Sequence, residues 1–227
     1  LPMFYCNAVG SQTEVVFDGG SVVMDAHGNM VKEMKFFEED FAIVDLVDAL
    51  KSKKSKGPKQ PLREFDKEMR VSRVNDPNKI IDFLTSERNV GQIYQALVLG
   101  ITDYFHKMGF SKATLGSTGG IDSAVTLALA CKALGRENVR AVLMPSEFSS
   151  GHSVSDAEQL SRNLGNPYDI LPIRDIYETF LHTLKPVFGD LPFSLAEENI
   201  QSRSRGNLLM SISNKFGYIL LNTSNKS

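Results

Sequence analysis

The sequence LGSTGGIDSA, from Leu115 to Ala124, decides the fold of this chain. It follows a short apolar segment that starts at Ala113 and precedes a run of apolar residues at helical spacing that stops at Gly135. A strand, a loop of small residues and a helix in this order are typical of a phosphate-binding turn, because the loop amides and the unpaired amides at the helix start face an anion. Glycines in such a loop let the backbone approach the ligand closely.

The loop also carries side chains suited to a nucleotide and its cation. Ser117, Thr118 and Ser123 supply hydroxyl groups, and Asp122 supplies a carboxylate. A carboxylate beside a phosphate site is expected where a cation lies between the two, so we predict that Asp122 binds a metal ion.

Two common phosphate loops are excluded by spacing. A Walker A loop has a Lys-Ser/Thr pair after its last glycine, whereas Ile121-Asp122 follows here. The dinucleotide fingerprint has glycines spaced G-x-G-x-x-G, and Gly116, Gly119 and Gly120 do not fit it. A glycine-rich turn that binds nothing is the remaining alternative, and the Asp-Ser pair after the glycines argues against it.

Composition limits the class of protein. A length of 227 residues predicts one large domain or two small ones. The net charge of -2 gives no electrostatic case for binding nucleic acid or an anionic membrane. No apolar run has the length of a transmembrane helix, and the first residues lack the charged start of a signal peptide. Two distant cysteines, Cys6 and Cys131, are typical of reduced residues in a cytoplasmic protein, and no Cys-His cluster has zinc spacing.

Three regions differ in composition. Residues 1–46 contain short β-like runs at Met3 to Cys6, Glu14 to Phe17 and Ser21 to Asp25. We predict that Asp18-Gly19-Gly20 turns the chain between the second and third of these runs, forming a strand-turn-strand unit. Residues 47–79 include the basic stretch LKSKKSKGPKQP (50–61). We interpret it as a solvated linker rather than an anion or nucleic-acid patch, because it has no aromatic residues on which bases stack.

Residues 80–227 alternate helix and strand, which predicts an α/β fold with a doubly wound parallel sheet. Helices are predicted over 92–108, 122–134, 153–165 and about 203–216, and strands over 113–115, 139–143, 168–173 and 218–222. Ser153 to Asp156 is interpreted as a capping box and Gly217 as a helix stop. Ligands bind beyond the carboxyl ends of such strands, where the loop and the turns at Met144 and Thr223 fall.

Several segments together resemble one family. The loop resembles the SGGxDS signature of the ATP pyrophosphatases, or PP-loop enzymes, which cleave ATP between its α and β phosphates. Three segments are similar to the synthetase domain of the NAD synthetases: LMPSEFSSGHSVSDA (143–157), LAEENIQSRSRGNLL (195–209) and SNKFGYILLNTSNKS (213–227). Residues 1–25 are similar to the end of a nitrilase-type glutaminase domain, which indicates the glutamine-dependent branch.

The resemblance implies a fold, a reaction and partners. Residues 80–227 would adopt the adenine-nucleotide alpha-hydrolase (PP-loop) fold, preceded over 1–46 by part of a nitrilase-like α/β/β/α domain. The reaction would be the amidation of nicotinic acid adenine dinucleotide (deamido-NAD) to NAD through an adenylate, with ATP, Mg²⁺, and ammonia from glutamine. The protein would be a cytoplasmic homo-oligomer.

The resemblance also assigns roles to matching residues. The ATP-binding residues would be Gly116, Ser117, Thr118, Gly119, Gly120, Ile121, Asp122, Ser123, Leu143, Met144 and Thr223. Asp122 would bind magnesium. Asn199 and Arg203 would bind deamido-NAD, although Arg203 also fits an ordinary solvent-facing helix position.

Four residues invite a catalytic interpretation but fit an ordinary one. We interpret Glu197 and Glu198 as acidic residues at a helix start, His152 as a loop residue and Cys6 as a packed strand residue. The glutaminase Glu-Lys-Cys set of the family lies upstream of the segment that residues 1–25 match, so no catalytic residue is assigned here.

The family also extends beyond the segment that residues 213–227 match. We therefore expect this chain alone to lack glutaminase activity and complete synthetase activity. A truncated nucleotide-binding module and another PP-loop amidotransferase, of the GMP or asparagine synthetase kind, remain the alternative functions.

The loop departs from the usual family sequence GLSGGIDS, because Ser117 and Thr118 replace Leu and Ser; Glu147 and Gly151 also differ from common family residues. Threonine keeps the hydroxyl but restricts its rotation. We predict that phosphate binding survives, so Thr118→Ser should change ATP affinity little in a titration. A large gain in the serine variant would show that the threonine impairs the site.

Overall fold

Short antiparallel strands form the start of the chain, and parallel βα units form its second half. The computed structural model describes residues 1–51, 77–147 and 151–223. Contacts between Cα atoms divide the chain into two compact units, Leu1–Tyr104 and Phe105–Ser227. Within the described ranges, no helix is long and apolar enough to cross a membrane.

The first unit contains two small antiparallel sheets. Strands β1, β4 and β5 form one sheet in the order β1-β4-β5, and β2 and β3 form a hairpin. Their bounds are Met3–Tyr5 (β1), Val9–Gln12 (β2), Val15–Asp18 (β3), Val22–Met24 (β4) and Met30–Glu33 (β5).

The strands predicted on either side of Asp18-Gly19-Gly20 are present, but β3 and β4 do not pair, because they lie in different sheets. Both glycines have positive φ and carry the chain from one sheet to the other. A Cβ atom at Gly20 would lie 2.3 Å from the Phe36 ring, so a side chain is excluded there. The strand β2 escaped prediction because Gly10 has little β propensity.

Three helices of the first half are described: α1 (Leu46–Lys51), α2 (Pro77–Leu84) and α3 (Glu87–Met108). The α3 helix starts earlier than the predicted residue 92, because the Ser86 hydroxyl accepts a hydrogen bond from the Asn89 amide and caps it. Asp103 of α3 accepts a hydrogen bond from the Ser11 amide of β2 at 2.7 Å. Most of the predicted linker, residues 47–79, lies outside the described residues.

The second unit confirms the predicted α/β fold with a parallel sheet. Its strands, in the order β8-β7-β6-β9, are all parallel. The strand bounds are Ala113–Gly116 (β6), Val139–Leu143 (β7), Tyr168–Ile170 (β8) and Ile219–Leu220 (β9). The helix bounds are Ile121–Leu134 (α4), Gly151–Leu164 (α5), Arg174–Phe188 (α6) and Leu195–Phe216 (α7).

Helices pack on both faces of this sheet. One core layer joins the sheet to α4 and α5 and includes Leu115, Leu127, Ala130, Val139, Leu143 and Ala157. The other joins it to the α6 and α7 side and includes Val142, Met144, Ile173, Leu208, Leu209 and Ile212. Helices on both faces make the sheet doubly wound, and the strand order reverses between β6 and β9.

Strands β8 and β9 are shorter than predicted. Strand β8 ends at Ile170 rather than 173, although the Leu171 and Ile173 amides still donate to the Leu143 and Pro145 carbonyls after it. Strand β9 covers only Ile219–Leu220 of the predicted 218–222. Helix α6 was not predicted, although Tyr177, Leu181 and Leu184 recur at helical spacing.

The observed starts of α5 and α7 contradict the predicted position of the capping box and the predicted start of the last helix. Helix α5 begins at Gly151, so Ser153 lies inside it and the capping box predicted there is wrong, as is the loop assignment of His152. The capping box lies instead at Ser194 and Glu197, and it starts α7 eight residues before the predicted position 203. Hydrogen bonding from the Ser194 amide lowers the pKa of the Glu197 carboxyl, which confirms its helix-start role.

The two cysteines differ in environment. Cys131 lies in the core, and burial raises the pKa of its thiol to about 11, so it stays protonated near neutral pH. Cys6 follows β1 and is exposed, so the prediction that it packs is wrong in the described structure.

An ion pair joins β7 to β8. Arg140 binds Asp169 with two hydrogen bonds, one of 2.9 Å from Nη2, and lies 5.4 Å from the Phe216 ring. These bonds lower the pKa of the Asp169 carboxyl. The pair therefore stabilises the fold fully above the unfolded carboxyl pKa of about 3.9 and loses its effect as pH falls through the lower folded value.

Replacing Asp169 with asparagine should lower the free energy of unfolding by about 1 kcal/mol at neutral pH. Urea unfolding of both proteins across pH should show a constant difference above pH about 5 that shrinks below pH about 4. Glu178→Gln, which removes an exposed pair with Arg174, is the control and should have a smaller effect. A difference that persists unchanged in acid would contradict this account.

Candidate functional site

The loop 117–120 lies between the carboxyl end of β6 and the start of α4. Strand β6 has β7 on one side and β9 on the other. The strand order therefore reverses at β6, and ligands in such sheets bind in the crevice beyond the strand ends at a point of this kind. The Ser117 amide donates to the Val142 carbonyl at 2.9 Å and anchors the loop to β7.

A network of hydroxyl groups closes the loop. The Thr118 amide donates to Ser123 Oγ, and the Gly120 amide donates to Thr118 Oγ1, each at 3.2 Å. Ser123 Oγ donates to the Gly120 carbonyl at 2.9 Å, and the two hydroxyls lie 3.2 Å apart. Threonine thus supports the loop with its hydroxyl at the position where serine is usual.

The start of α4 leaves amides available to a ligand. Gly120 is the N-cap residue of α4, and it has no side chain that could accept a hydrogen bond from the first helical amides. The Ala124 amide donates to the Gly120 carbonyl at 3.1 Å. Among the described hydrogen bonds, none uses the amides of Gly119, Ile121, Asp122 or Ser123. Unpaired amides at the positive end of a helix are the donors that bind a phosphate.

Position 119 requires a glycine, because the backbone of Ser153 leaves no space for a side chain. Its φ is +78°, and a Cβ atom there would lie 2.3 Å from the carbonyl oxygen and 2.8 Å from the Cα of Ser153. The loop backbone therefore packs directly against the first turn of α5. Any side chain at this position would separate the two elements.

Ser117 is buried, with only 5% of its surface exposed. Its Oγ has no hydrogen-bond partner among the described residues. Serine therefore places an unsatisfied hydroxyl beneath the loop at a position where the resembled family usually has leucine.

The two residues predicted to lie near adenine differ in accessibility. Leu143 is 1% exposed, and its carbonyl accepts a hydrogen bond from the Leu171 amide at 2.8 Å. Met144 is 9% exposed, and its Cε lies 3.3 Å from where a Cβ atom of Gly116 would be. Met144 therefore lies beside Gly116, the last residue of β6, whereas Leu143 is part of the core.

Asp122 fits the part of a single magnesium ligand. It is exposed in the first turn of α4, next to the unpaired amides. The described residues contain no group of three or more His, Cys, Asp or Glu side chains that could hold a metal by themselves. Magnesium bound with a nucleotide needs only one or two protein carboxylates, because phosphates and waters complete its shell.

Residues from β9 and α7 complete the set predicted from the sequence. Thr223 follows β9 at the same sheet edge as the loop, since Leu221 donates to the Thr114 carbonyl of β6. Asn199 and Arg203 are one helical turn apart in α7, on the face opposite its buried residues Gln201 and Ser204. Arg203 is exposed and Asn199 is partly exposed, so both lie away from the buried face of this helix.

Arg205 was missed by the sequence reasoning. It is half-buried, and its Nε donates to the Met144 carbonyl at 3.1 Å. Burial lowers the pKa of its guanidinium group. Its helical spacing from Gln201 and Leu208 could have identified it, because this spacing places Arg205 on the buried face of α7. Arg203 lies on the opposite face.

Comparison with known proteins adds independent findings. The chain is 44% identical to the glutamine-dependent NAD(+) synthetase of Synechocystis sp., with 100% of the chain matching 36% of that protein. It is 39% identical to the enzyme of the same name from Thermotoga maritima, again over the whole chain and 41% of that protein. The chain thus spans about two fifths or less of these relatives' length.

Solved structures agree in fold. The glutamine-dependent NAD+ synthetase of Acinetobacter baumannii, in complex with ADP, matches 100% of this chain and 38% of its own with a TM-score of 0.77 and 37% identity. The NH3-dependent NAD synthetase of Campylobacter jejuni matches 60% of this chain and 57% of its own, with a TM-score of 0.54 and 29% identity. The sequence profile of NAD synthase matches residues 93–227. The chain therefore belongs to the NAD synthase family.

Proposed function

We propose that this chain forms the ATP-binding core of a glutamine-dependent NAD synthetase. The observation that carries the proposal is the start of α4, where a loop closed by Thr118 and Ser123 leaves four amides without partners among the described residues. The relatives' names and the ADP bound to the Acinetobacter baumannii protein support it. The crevice beyond β6 supplies what an adenosine triphosphate needs: amide donors for phosphates and a carboxylate for their cation.

The reaction would proceed in two balanced steps. A carboxylate oxygen of deamido-NAD attacks the α-phosphorus of ATP, and the bond to the β-phosphate oxygen breaks to release pyrophosphate. Ammonia then attacks the carboxyl carbon, AMP leaves with one carboxylate oxygen, and a proton is lost to give the amide of NAD. The unpaired amides of α4 stabilise the charge that develops on the leaving pyrophosphate.

Asp122 would hold magnesium, which supplies positive charge next to the phosphates when it is bound. Thr118 and Ser123 keep the loop in the shape that presents its amides. Met144 and Thr223 border the crevice from β7 and β9, beside the nucleotide. Asn199 and Arg203 would orient deamido-NAD so that its carboxylate lies close to the α-phosphorus.

The wider organisation follows the same proposal. Residues 1–46 would be the end of a nitrilase-type glutaminase domain, 47–79 a linker and 80–227 the first part of the synthetase domain. Glutamine would supply the ammonia in the complete protein. We propose a cytoplasmic homo-oligomer that binds neither nucleic acid nor membranes.

The test is the substrate dependence of pyrophosphate release by the full-length protein. With ATP, magnesium, ammonia and deamido-NAD, pyrophosphate and AMP should appear together, and omission of deamido-NAD should abolish both. Release that requires xanthosine monophosphate or aspartate instead would assign the chain to another PP-loop amidotransferase. ATP binding without turnover would favour a nucleotide-binding module.

Gly119→Ala should abolish measurable ATP binding or weaken it at least about tenfold, because the new methyl group cannot fit against Ser153 without moving α5 away from the loop. Gly109→Ala is a matched control. Gly109 also has a positive φ, of +73°, but nothing lies within 4 Å of its Cβ position. It should cost stability by about 1 kcal/mol without changing ATP affinity. Equal ATP affinity in both variants would show that close packing at Gly119 is unimportant.

A further inference from the structure

Arg205 is a cation held at the carboxyl end of β7. It lies on the buried side of α7, in the same helical turn as the buried Ser204. Its Nε donates to the Met144 carbonyl at 3.1 Å. A single bond through Nε leaves the two Nη groups, which carry four of the five guanidinium hydrogens, available to another acceptor.

Arg205 has no acidic partner among the described residues, although it is half-buried. Arg140, Arg162 and Arg174 each bind a carboxylate, those of Asp169, Glu158 and Glu178. No carboxylate of the described residues lies within ion-pair distance of Arg205, and burial lowers its pKa. A half-buried charge without a counter-charge is unfavourable, so its presence indicates an anion that is supplied from outside the chain.

The contacts around Arg205 lead to the phosphate loop. The Met144 residue that accepts its hydrogen bond also packs beside Gly116, with Cε 3.3 Å from the Cβ position of that glycine. Leu209, one helical turn after Arg205, approaches the same position of Gly116 to 3.3 Å through its Cδ1. Arg205 and Gly116, the last residue of β6 before the loop, are thus joined through two shared neighbours.

We propose that Arg205 is a nucleotide-binding residue, whose Nη groups donate to a phosphate oxygen of the ATP bound at the loop while the Met144 carbonyl fixes its guanidinium plane. The proposal deepens the proposed function and rests on it. Both ATP and deamido-NAD carry phosphate oxygens, and the shared neighbours of Arg205 and Gly116 favour ATP. Arginine suits this task, since its planar group presents two parallel donors to a phosphate.

The test compares Arg205→Met, Arg205→Lys and Arg162→Met in the full-length protein. Arg162 is the control, because it is an exposed arginine bound to Glu158 on α5. The measurements are kcat, the KM for ATP, the KM for deamido-NAD and the unfolding temperature. ATP affinity is also measured by direct titration, which does not depend on turnover.

Arg205→Met should raise the KM and the Kd for ATP by about tenfold or more and change the KM for deamido-NAD by less than about twofold, because one charge-assisted hydrogen-bonded contact is lost. Arg205→Lys should recover part of the ATP affinity, since it keeps the charge but not the planar pair of donors. Arg162→Met should leave both KM values unchanged.

Three results would overturn the proposal. Unchanged ATP affinity in a folded Arg205→Met variant, even with a lower unfolding temperature, would make the residue structural only. A selective rise in the KM for deamido-NAD would place that dinucleotide, not ATP, at Arg205. If Arg205→Met lowers the unfolding temperature and Arg205→Lys restores it without any gain in ATP affinity, Arg205 has a structural role only. If the wild-type protein fails to release pyrophosphate with deamido-NAD, the proposed function fails, while the ATP titration still decides the role of Arg205.

Discussion

The hydroxyl groups of Thr118 and Ser123 close a loop in which several backbone amides stay unpaired among the described residues. Because they satisfy the Thr118 amide and the Gly120 amide and carbonyl internally, the loop holds its shape without using the amides of the first helical turn. The parallel sheet places this turn where the strand order reverses, and Gly119 lets it pack against α5. Met144 and Thr223 lie at the same edge of the sheet, after β7 and β9.

The site is built from groups that the protein leaves unsatisfied. Four amides at the start of α4, the hydroxyl of Ser117 and the guanidinium of Arg205 lack full partners within the described structure. Each such group costs stability while it lacks a partner. Phosphate oxygens would satisfy the amides and the guanidinium group, so nucleotide binding should stabilise the second unit.

Sequence reasoning succeeded where short-range chemistry decides the structure. The loop, its flanking strand and helix, and the parallel sheet followed from residue types and spacing alone. It failed where two similar signals compete. Ser153 and Ser194 both look like helix caps, but α5 already begins at Gly151, so Ser153 lies inside it. Ser194 is followed three residues later by Glu197, whose carboxylate accepts a hydrogen bond from the Ser194 amide. Arg203 and Arg205 look alike in SRSRG, and only the packing of α7 shows which of them faces the core.

The transfer of oxygen during turnover tests the central claim most directly. Deamido-NAD labelled with heavy oxygen at both carboxylate positions is incubated with the full-length protein, ATP, magnesium and ammonia, and the products are analysed by mass spectrometry. Attack of the carboxylate on the α-phosphorus predicts one labelled oxygen in the AMP and one in the amide of the NAD. Unlabelled AMP, or release of ADP in place of AMP, would contradict the assignment of this loop as an adenylate-forming site.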